Sequence, residues 1–265
     1  MNALANHLEV FRVLSRQIGV VRALKVTCAK VVVRLLMPHA KPFYGQTGED
    51  LMLRTLASQY LQAGTFTYLD IGCNDARHYS TSYSAYLAGS RGLVIDLNPS
   101  FANSFKRERP NDLFVCAAIS DVRTQVVLYE FAINEVNTID AEQALKWAGY
   151  WRSLGKRTIQ SVTLVQLLLD NNIQLKFDVL MMDVEGHELQ VLRGADLDSL
   201  APKIIICEIH DLDIYELDKN PVVSYLHAHR YRLVSYATMN AYFVRADIFE
   251  HKVGQQQTSQ SGNSA

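Results

Sequence analysis

The chain has 265 residues, a formal net charge of −1, and 49% hydrophobic, 20% charged and 9% aromatic residues. These proportions exclude a disordered, collagenous or membrane-embedded chain, and the length suits one large domain or two small ones with a core of their own. Cys28, Cys73, Cys116 and Cys207 form no CxxC pair, and no stretch reaches the ~18 uninterrupted apolar residues of a spanning helix or the unbroken core of a signal peptide. A reduced, cytoplasmic protein is expected.

The near-zero charge conceals an asymmetry. Residues 1–41 carry seven Lys/Arg against one acid, Glu9, which leaves 19 basic and 26 acidic residues on the rest of the chain. On a 100° wheel the arm's basic residues fall opposite an apolar set including Phe11, Leu14, Ile18, Val21, Leu24, Val32 and Leu36, which predicts one helix, or two broken near Gly19. Pro38 and Pro42 signal its end. The apolar stripe of residues 8–37 has two readings: packing on the main domain or on a second copy, and peripheral contact with the inner membrane surface.

From Tyr44 the pattern becomes short apolar runs separated by helical segments. Strands are predicted at Phe66–Ile71, Gly92–Asp96, Leu113–Ile119, Gln125–Phe131, Phe177–Met182, Lys203–Glu208, Tyr231–Tyr236 and Ala241–Val244, with helices at Val162–Asp170 and Glu188–Arg193. Continuous apolar strands alternating with helices predict an α/β fold with a mostly parallel sheet covered on both faces, and the last two runs an antiparallel hairpin at one edge. The expected division is an arm at 1–43, a domain at 44–250, and a Gln/Ser-rich disordered tail at 251–265.

In such sheets ligands bind outside the carboxyl ends of the strands, where strand order reverses. Asp70-Ile71-Gly72-Cys73-Asn74-Asp75-Ala76 ends the first strand, with a glycine that permits a tight turn and close ligand approach. Asp96 ends the second, 24 residues beyond Gly72 and near the spacing at which an acid reaches ribose hydroxyls. The loop lacks the G-x-G-x-x-G of dinucleotide sites, and Asp75 would repel phosphate. A nucleoside with a positive group, such as S-adenosylmethionine, therefore fits better than NAD. Two later strands end in Asp183-Val184-Glu185-Gly186-His187-Glu188 and Glu208-Ile209-His210-Asp211, a density of titratable groups that is costly unless paired or used.

Gly45-Gln46-Thr47-Gly48-Glu49-Asp50, the Asp70–Ala76 loop, Asp183–Glu188 with Leu189, Leu192 and Gly194, and Cys207-Glu208 occur in the order and spacing of the FkbM-type methyltransferases, which this chain resembles from about Tyr44 to Arg245. The resemblance implies the Rossmann-like class I methyltransferase fold, a three-layer sandwich around a seven-stranded sheet, with S-adenosylmethionine as donor and hydroxyls of sugars, glycolipids or hydroxylated metabolites as acceptors. It implies that Asp70, Gly72, Asn74 and Asp75 border the methionine part and that Asp96 binds the ribose, with Asn98 among the cofactor contacts. Ala118, Ser120 and Asp121 would lie beside the adenine, and the segment holding Gln46 and Glu49 would cover the cofactor. Asp183 would be the general base or orienting group, assisted by Glu185, Glu208 and His210. The chain departs from the family at Ala76, Asp96, Leu97 and Met181, where glycine, glutamate, proline and lysine are usual.

Mg²⁺ could sit among these carboxylates but is not the favoured reading. The connection from Ile133 to Arg157 holds Trp147, Tyr150 and Trp151, which could pack a surface helix or turn their faces to stack on a sugar or cover the cleft. Nucleic-acid methylation is disfavoured by the acidic body, and a non-catalytic binding module by the acids kept at all three strand ends.

Overall fold

The computed structural model describes residues 2–36, 43–174 and 176–261. Ten strands form in chain order: β1 (Thr67–Ile71), β2 (Arg91–Asp96), β3 (Leu113–Cys116), β4 (Ala118–Ile119), β5 (Gln125–Phe131), β6 (Ser153–Val162), β7 (Val179–Met182), β8 (Ile204–Glu208), β9 (Tyr231–Ala237) and β10 (Asn240–Arg245). Seven of them make one sheet in the order β3-β2-β1-β7-β8-β10-β9, and β4-β6-β5 make a smaller one. Every pairing in the large sheet is parallel except those of β10 with β8 and β9. The order reverses between β1 and β7, which opens a crevice at their carboxyl ends.

Side chains alternate across the large sheet and so fill two cores. Leu69, Ile71, Leu93, Ile95, Leu180, Met182, Ile205 and Phe243 face one side. There they meet Leu164, Leu167 and Leu168 of helix Leu164–Asp170, Val191 and Leu192 of helix Glu188–Arg193, and Val223 and Leu226 of helix Pro221–Ala228. Tyr68, Val94, Val179, Met181, Ile206 and Tyr242 face the other side, under Leu53 and Leu56 of helix Glu49–Leu56 and Phe105 of helix Ala102–Glu108. All five residues of β8 are buried, as a parallel strand covered on both faces requires.

The structure departs from the sequence expectations in several places. The run Leu113–Ile119 is two strands, because the chain leaves the large sheet at Ala117 and β4 pairs with β6 instead. The closing hairpin does lie at one edge, β10 pairing with β8 and β9 outermost. The Ile133–Arg157 connection contains a helix, Ala141–Ala148, as one of its two readings had it, but also the start of β6. Residues 251–261, expected to be disordered, continue the helix Ala246–Ser261, whose first turns lay Ile248 and Phe249 on the core. Residues 262–265 of that tail, and the arm's stop at Pro38 and Pro42, lie outside the described residues.

The arm is two helices, Asn2–Ile18 and Val20–Leu36, meeting at Gly19. Leu14, Ile18 and Ala23 pack on Tyr83, Tyr86 and Leu87 of the main domain, and Arg22 bonds the Arg107 carbonyl and Glu108. Much of the second helix's apolar face stays exposed, including Val21, Leu24, Val32 and Leu35. Among the described residues no helix is long and apolar enough to cross a membrane.

Candidate active site

A cleft of about 640 Å³ lies over the carboxyl ends of β1, β2, β7 and β8, within the roughly 300–1,000 Å³ usual for small-molecule sites. Its donor half is built by the turn after β1. Gly72 has φ +77°, and a Cβ there would stand 1.7 Å from the Asp183 carbonyl oxygen, so only glycine lets the ends of β1 and β7 approach this closely. The Gly72 and Cys73 amides both donate to the Ile95 carbonyl, at 2.8 and 3.1 Å. Asn74, in the left-handed region at φ +51°, donates its amide to Asp96 Oδ2 at 2.9 Å. The other oxygen of Asp96 accepts the Asn98 amide at 2.8 Å. Burial pushes the Asp96 carboxyl up to about 6, against the opposing effect of those two amides.

Asp70 is buried at the end of β1 and accepts from the Ser82 hydroxyl. Burial raises its pKa, while Ser82 and Arg109 act the other way. Arg109 is fully buried beneath it, 2.7 Å from Asp112, and also donates to Ser82, Ser80 and the Tyr68 hydroxyl. Glu49 closes the cleft from outside, accepting from the Thr47 amide and hydroxyl and from Asn240 of β10 at 3.2 Å.

The acceptor half sits on the ends of β7 and β8. Asp183 lies on the floor of the cleft, reached by solvent but surrounded by protein. Burial, with Glu208 and Glu185 beside it, drives its pKa well above the carboxylate range. Glu185 sits at φ +53°, a left-handed conformation that costs a non-glycine residue about 1–2 kcal/mol. Its Oε2 accepts from Trp147 Nε1 at 2.9 Å. His210 Nε2 stands 3.1 Å from Glu208 Oε2 and 3.8 Å from Glu185 Oε2. Those two carboxylates push the imidazole up to about 10. Glu188 instead shapes the loop, its Oε1 accepting the Val184 and Gly186 amides, and burial raises its pKa to about 7.

Of the residues singled out from sequence, Gln46, Glu49, Asp70, Gly72, Asn74, Asp96, Asn98, Ala118, Asp183, Glu185, Glu208 and His210 all line this cleft. Asp75, Ser120 and Asp121 do not. Asp75 Oδ1 accepts the Arg77 and His78 amides and Oδ2 the Ser104 hydroxyl, so its carboxylate stabilises the turn. Burial acts to raise its pKa, but these bonds outweigh it and hold the group low. Ser120 bonds His187, itself part of the lining, at 2.9 Å and also bonds Asp121. The segment 133–139, Trp147 and Trp151 complete the lining, carried over the cleft by the small sheet. Trp147 and Trp151 were visible as an aromatic insertion, whereas 133–139 carried no sequence signal.

Seven carboxylates line the cleft, Glu49, Asp70, Asp96, Glu135, Asp183, Glu185 and Glu208, and among the described residues no Lys or Arg does. Such a lining favours cationic or hydroxylated ligands and opposes polyanions.

The sequence profile of the methyltransferase FkbM domain matches residues 70–233, more than half of the chain. The chain belongs to the FkbM methyltransferase family. Similar solved structures include a TehB-like SAM-dependent methyltransferase from Corynebacterium glutamicum, 13% identical, covering 84% of this chain and 99% of that one with a TM-score of 0.40. Another is a precorrin-6y C5,15-methyltransferase from Geobacter metallireducens, 14% identical, covering 77% and 91% with a TM-score of 0.38. No curated protein sequence matches.

Proposed function

We propose that this FkbM protein is an S-adenosylmethionine-dependent O-methyltransferase acting on a hydroxyl of a sugar, a glycolipid or polysaccharide, or a hydroxylated secondary metabolite. The observation that carries the reading is that one cleft joins a nucleoside-type strand end, Gly72 to Asp96, with the cluster of Asp183, Glu185, Glu208 and His210. The donor half fits the cofactor: Asp96 keeps lone pairs beyond the two amides it accepts, enough for ribose hydroxyls, and Asp70 and Glu49 offer negative charge to a sulfonium and an ammonium. When bound, S-adenosylmethionine supplies a methyl group on an already activated carbon.

The protein then has to orient the acceptor and receive its proton. Asp183 suits the second role, because the protein around it and the neighbouring Glu208 and Glu185 carboxylates raise its affinity for a proton. Glu185, Glu208 and His210 hold the acceptor's oxygens, and Trp147 and Trp151 present aromatic faces to its apolar side and keep water out.

Calorimetric titration with S-adenosylmethionine, followed by transfer of labelled methyl to a panel of sugars and glycolipids, tests the reading. Asp183→Asn should keep cofactor affinity within a few-fold while turnover falls by about 10²–10⁴, the usual contribution of a positioned base. Full turnover in Asp183→Asn would remove the base assignment. A folded wild-type protein that does not bind the cofactor would remove the function.

A further inference from the structure

Three ligand-type atoms converge on the acceptor side of the cleft, two of them without a hydrogen-bond partner. Glu185, Glu208 and His210 each offer one ligand-type atom, and these atoms all lie within 4.8 Å of one another. Glu208 is 6% exposed, yet its Oε2 has no hydrogen-bond partner, and neither has His210 Nε2. Their 3.1 Å contact is one of charge and proximity without hydrogen-bond alignment. The carboxylate oxygen and the imidazole nitrogen attract each other, yet both keep hydrogen-bonding capacity that the chain does not use.

The spacing suggests what would use it. Donors bound at about 2.1 Å to one ion lie about 3.0–3.4 Å apart at octahedral or tetrahedral angles. The two His210 distances are 3.1 and 3.8 Å and the carboxylate pair lies within 4.8 Å, so the donors surround a space that an ion would draw together by up to about an ångström. Trp147 Nε1 donates to the proposed donor oxygen of Glu185, the kind of outer contact that fixes a metal-binding carboxylate.

We propose that Glu185, Glu208 and His210 form a three-ligand site for a divalent cation of borderline character, Mn²⁺ or Zn²⁺, whose remaining positions open into the cleft. The imidazole argues against Mg²⁺ and Ca²⁺, which prefer oxygen-only sets. Three protein ligands with an open side is the arrangement of ions that meet substrate, in contrast to closed structural sites. The ion site stands on geometry alone. Its consequence for the acceptor rests on the methyl-transfer reading: a molecule with two neighbouring oxygens, such as a sugar vicinal diol, would complete the coordination and lie beside Asp183.

The test uses the full chain without a histidine tag, stripped with chelator and titrated with Mn²⁺ by the loss of the free-ion paramagnetic resonance signal, and with Zn²⁺ by calorimetry. One ion per chain is expected at micromolar affinity, weakened at least about 100-fold in Glu208→Gln and in His210→Gln, and about 10–100-fold in Trp147→Phe. Thermal unfolding verifies each variant, and should Glu208→Gln not fold, His210→Gln at the less buried position carries the test. The absence of binding, or binding that ignores both substitutions, overturns the site. S-adenosylmethionine is titrated in parallel, so the two readings fail separately. Cofactor binding and methyl transfer without ion binding would refute only the ion site, and ion binding without cofactor binding would refute only the methyl-transfer reading.

Discussion

Three glycine-to-alanine substitutions separate backbone strain from collision at the turn that builds the cleft. Gly48 has φ +95°, and a Cβ added there would meet nothing within 4 Å, so Gly48→Ala carries only the left-handed penalty. That penalty is about 1–2 kcal/mol, offset by about 0.4–1 kcal/mol of lost unfolded-state freedom, for a net near 1 kcal/mol. Gly194 has an ordinary φ of −82°, but a Cβ there would stand 2.2 Å from the Ser120 carbonyl oxygen. Gly194→Ala is then a pure overpacking, costing about 1–3 kcal/mol. Gly72→Ala combines both, with a Cβ 1.7 Å from the Asp183 carbonyl between two hydrogen-bonded central strands. Its cost should be about 2–5 kcal/mol, against a total stability of roughly 5–15 kcal/mol for a typical domain. Urea unfolding of the three variants gives the ranking, and S-adenosylmethionine titration of the folded fraction should show affinity lost only in Gly72→Ala. A Gly72→Ala protein no less stable than Gly48→Ala, with cofactor affinity intact, would refute the view that this glycine sets the distance between β1 and β7.

Two further predictions concern buried charge. Asp96 titrates near 6 in the free protein, and its carboxylate form is the one that can accept both amides and ribose. Cofactor affinity should therefore be level above pH 6 and fall about tenfold per unit below it, as calorimetry from pH 5 to 8 would read; a pH-independent affinity would count against Asp96 as the ribose acceptor. Because burial raises this pKa, the native state holds the proton longer than the unfolded chain, so the residue's contribution to stability declines as pH rises from about 4 to 6. Arg109→Met should destabilise by about 3–5 kcal/mol, because it strands the buried Asp112 carboxylate. Adding Asp112→Leu should recover much of that loss in chemical denaturation, and a double variant no better than the single would show that the cost lies in packing.

The strands of the large sheet were legible because burial on both faces demands unbroken apolar runs, and Leu93–Ile95, Val179–Met182 and Ile204–Cys207 satisfy it. Asp70, Asp96, Asp183 and Glu208 were legible because each stands at or just past the end of a strand. β6 was hidden: its first six residues are exposed, so neither face has an apolar rhythm to read. The break at Ala117 was invisible because the run stays apolar while changing sheets. Asp75 shows the limit on the site side, since a carboxylate after a strand can face a ligand or cap its own turn, and the sequence is the same for both. Arg109 was missed because a lone arginine ordinarily stays in water; the Asp112, Ser80, Ser82 and Tyr68 partners that make its burial tolerable come together only in the fold.

β10 lies inside the sheet although it is the last strand to be made. Until residue 245 has been synthesised, β8 and β9 each present a bare edge, and the hydrophobic side chains of β8 on both faces await Tyr242, Phe243 and Val244. The domain thus cannot settle progressively from its N-terminus as nascent chains usually do. Translation leaves it with an open slot of strand width, a template for any extended segment nearby, and the chain closes that slot with residues 240–245. A stop codon or protease cut a few residues before Asn240 would remove no part of the acid cluster, yet it would leave a sheet split beside β8 and prone to pair with its neighbours. The C-terminal strand is in this sense a latch, and the solubility of the newborn protein depends on how quickly it is thrown.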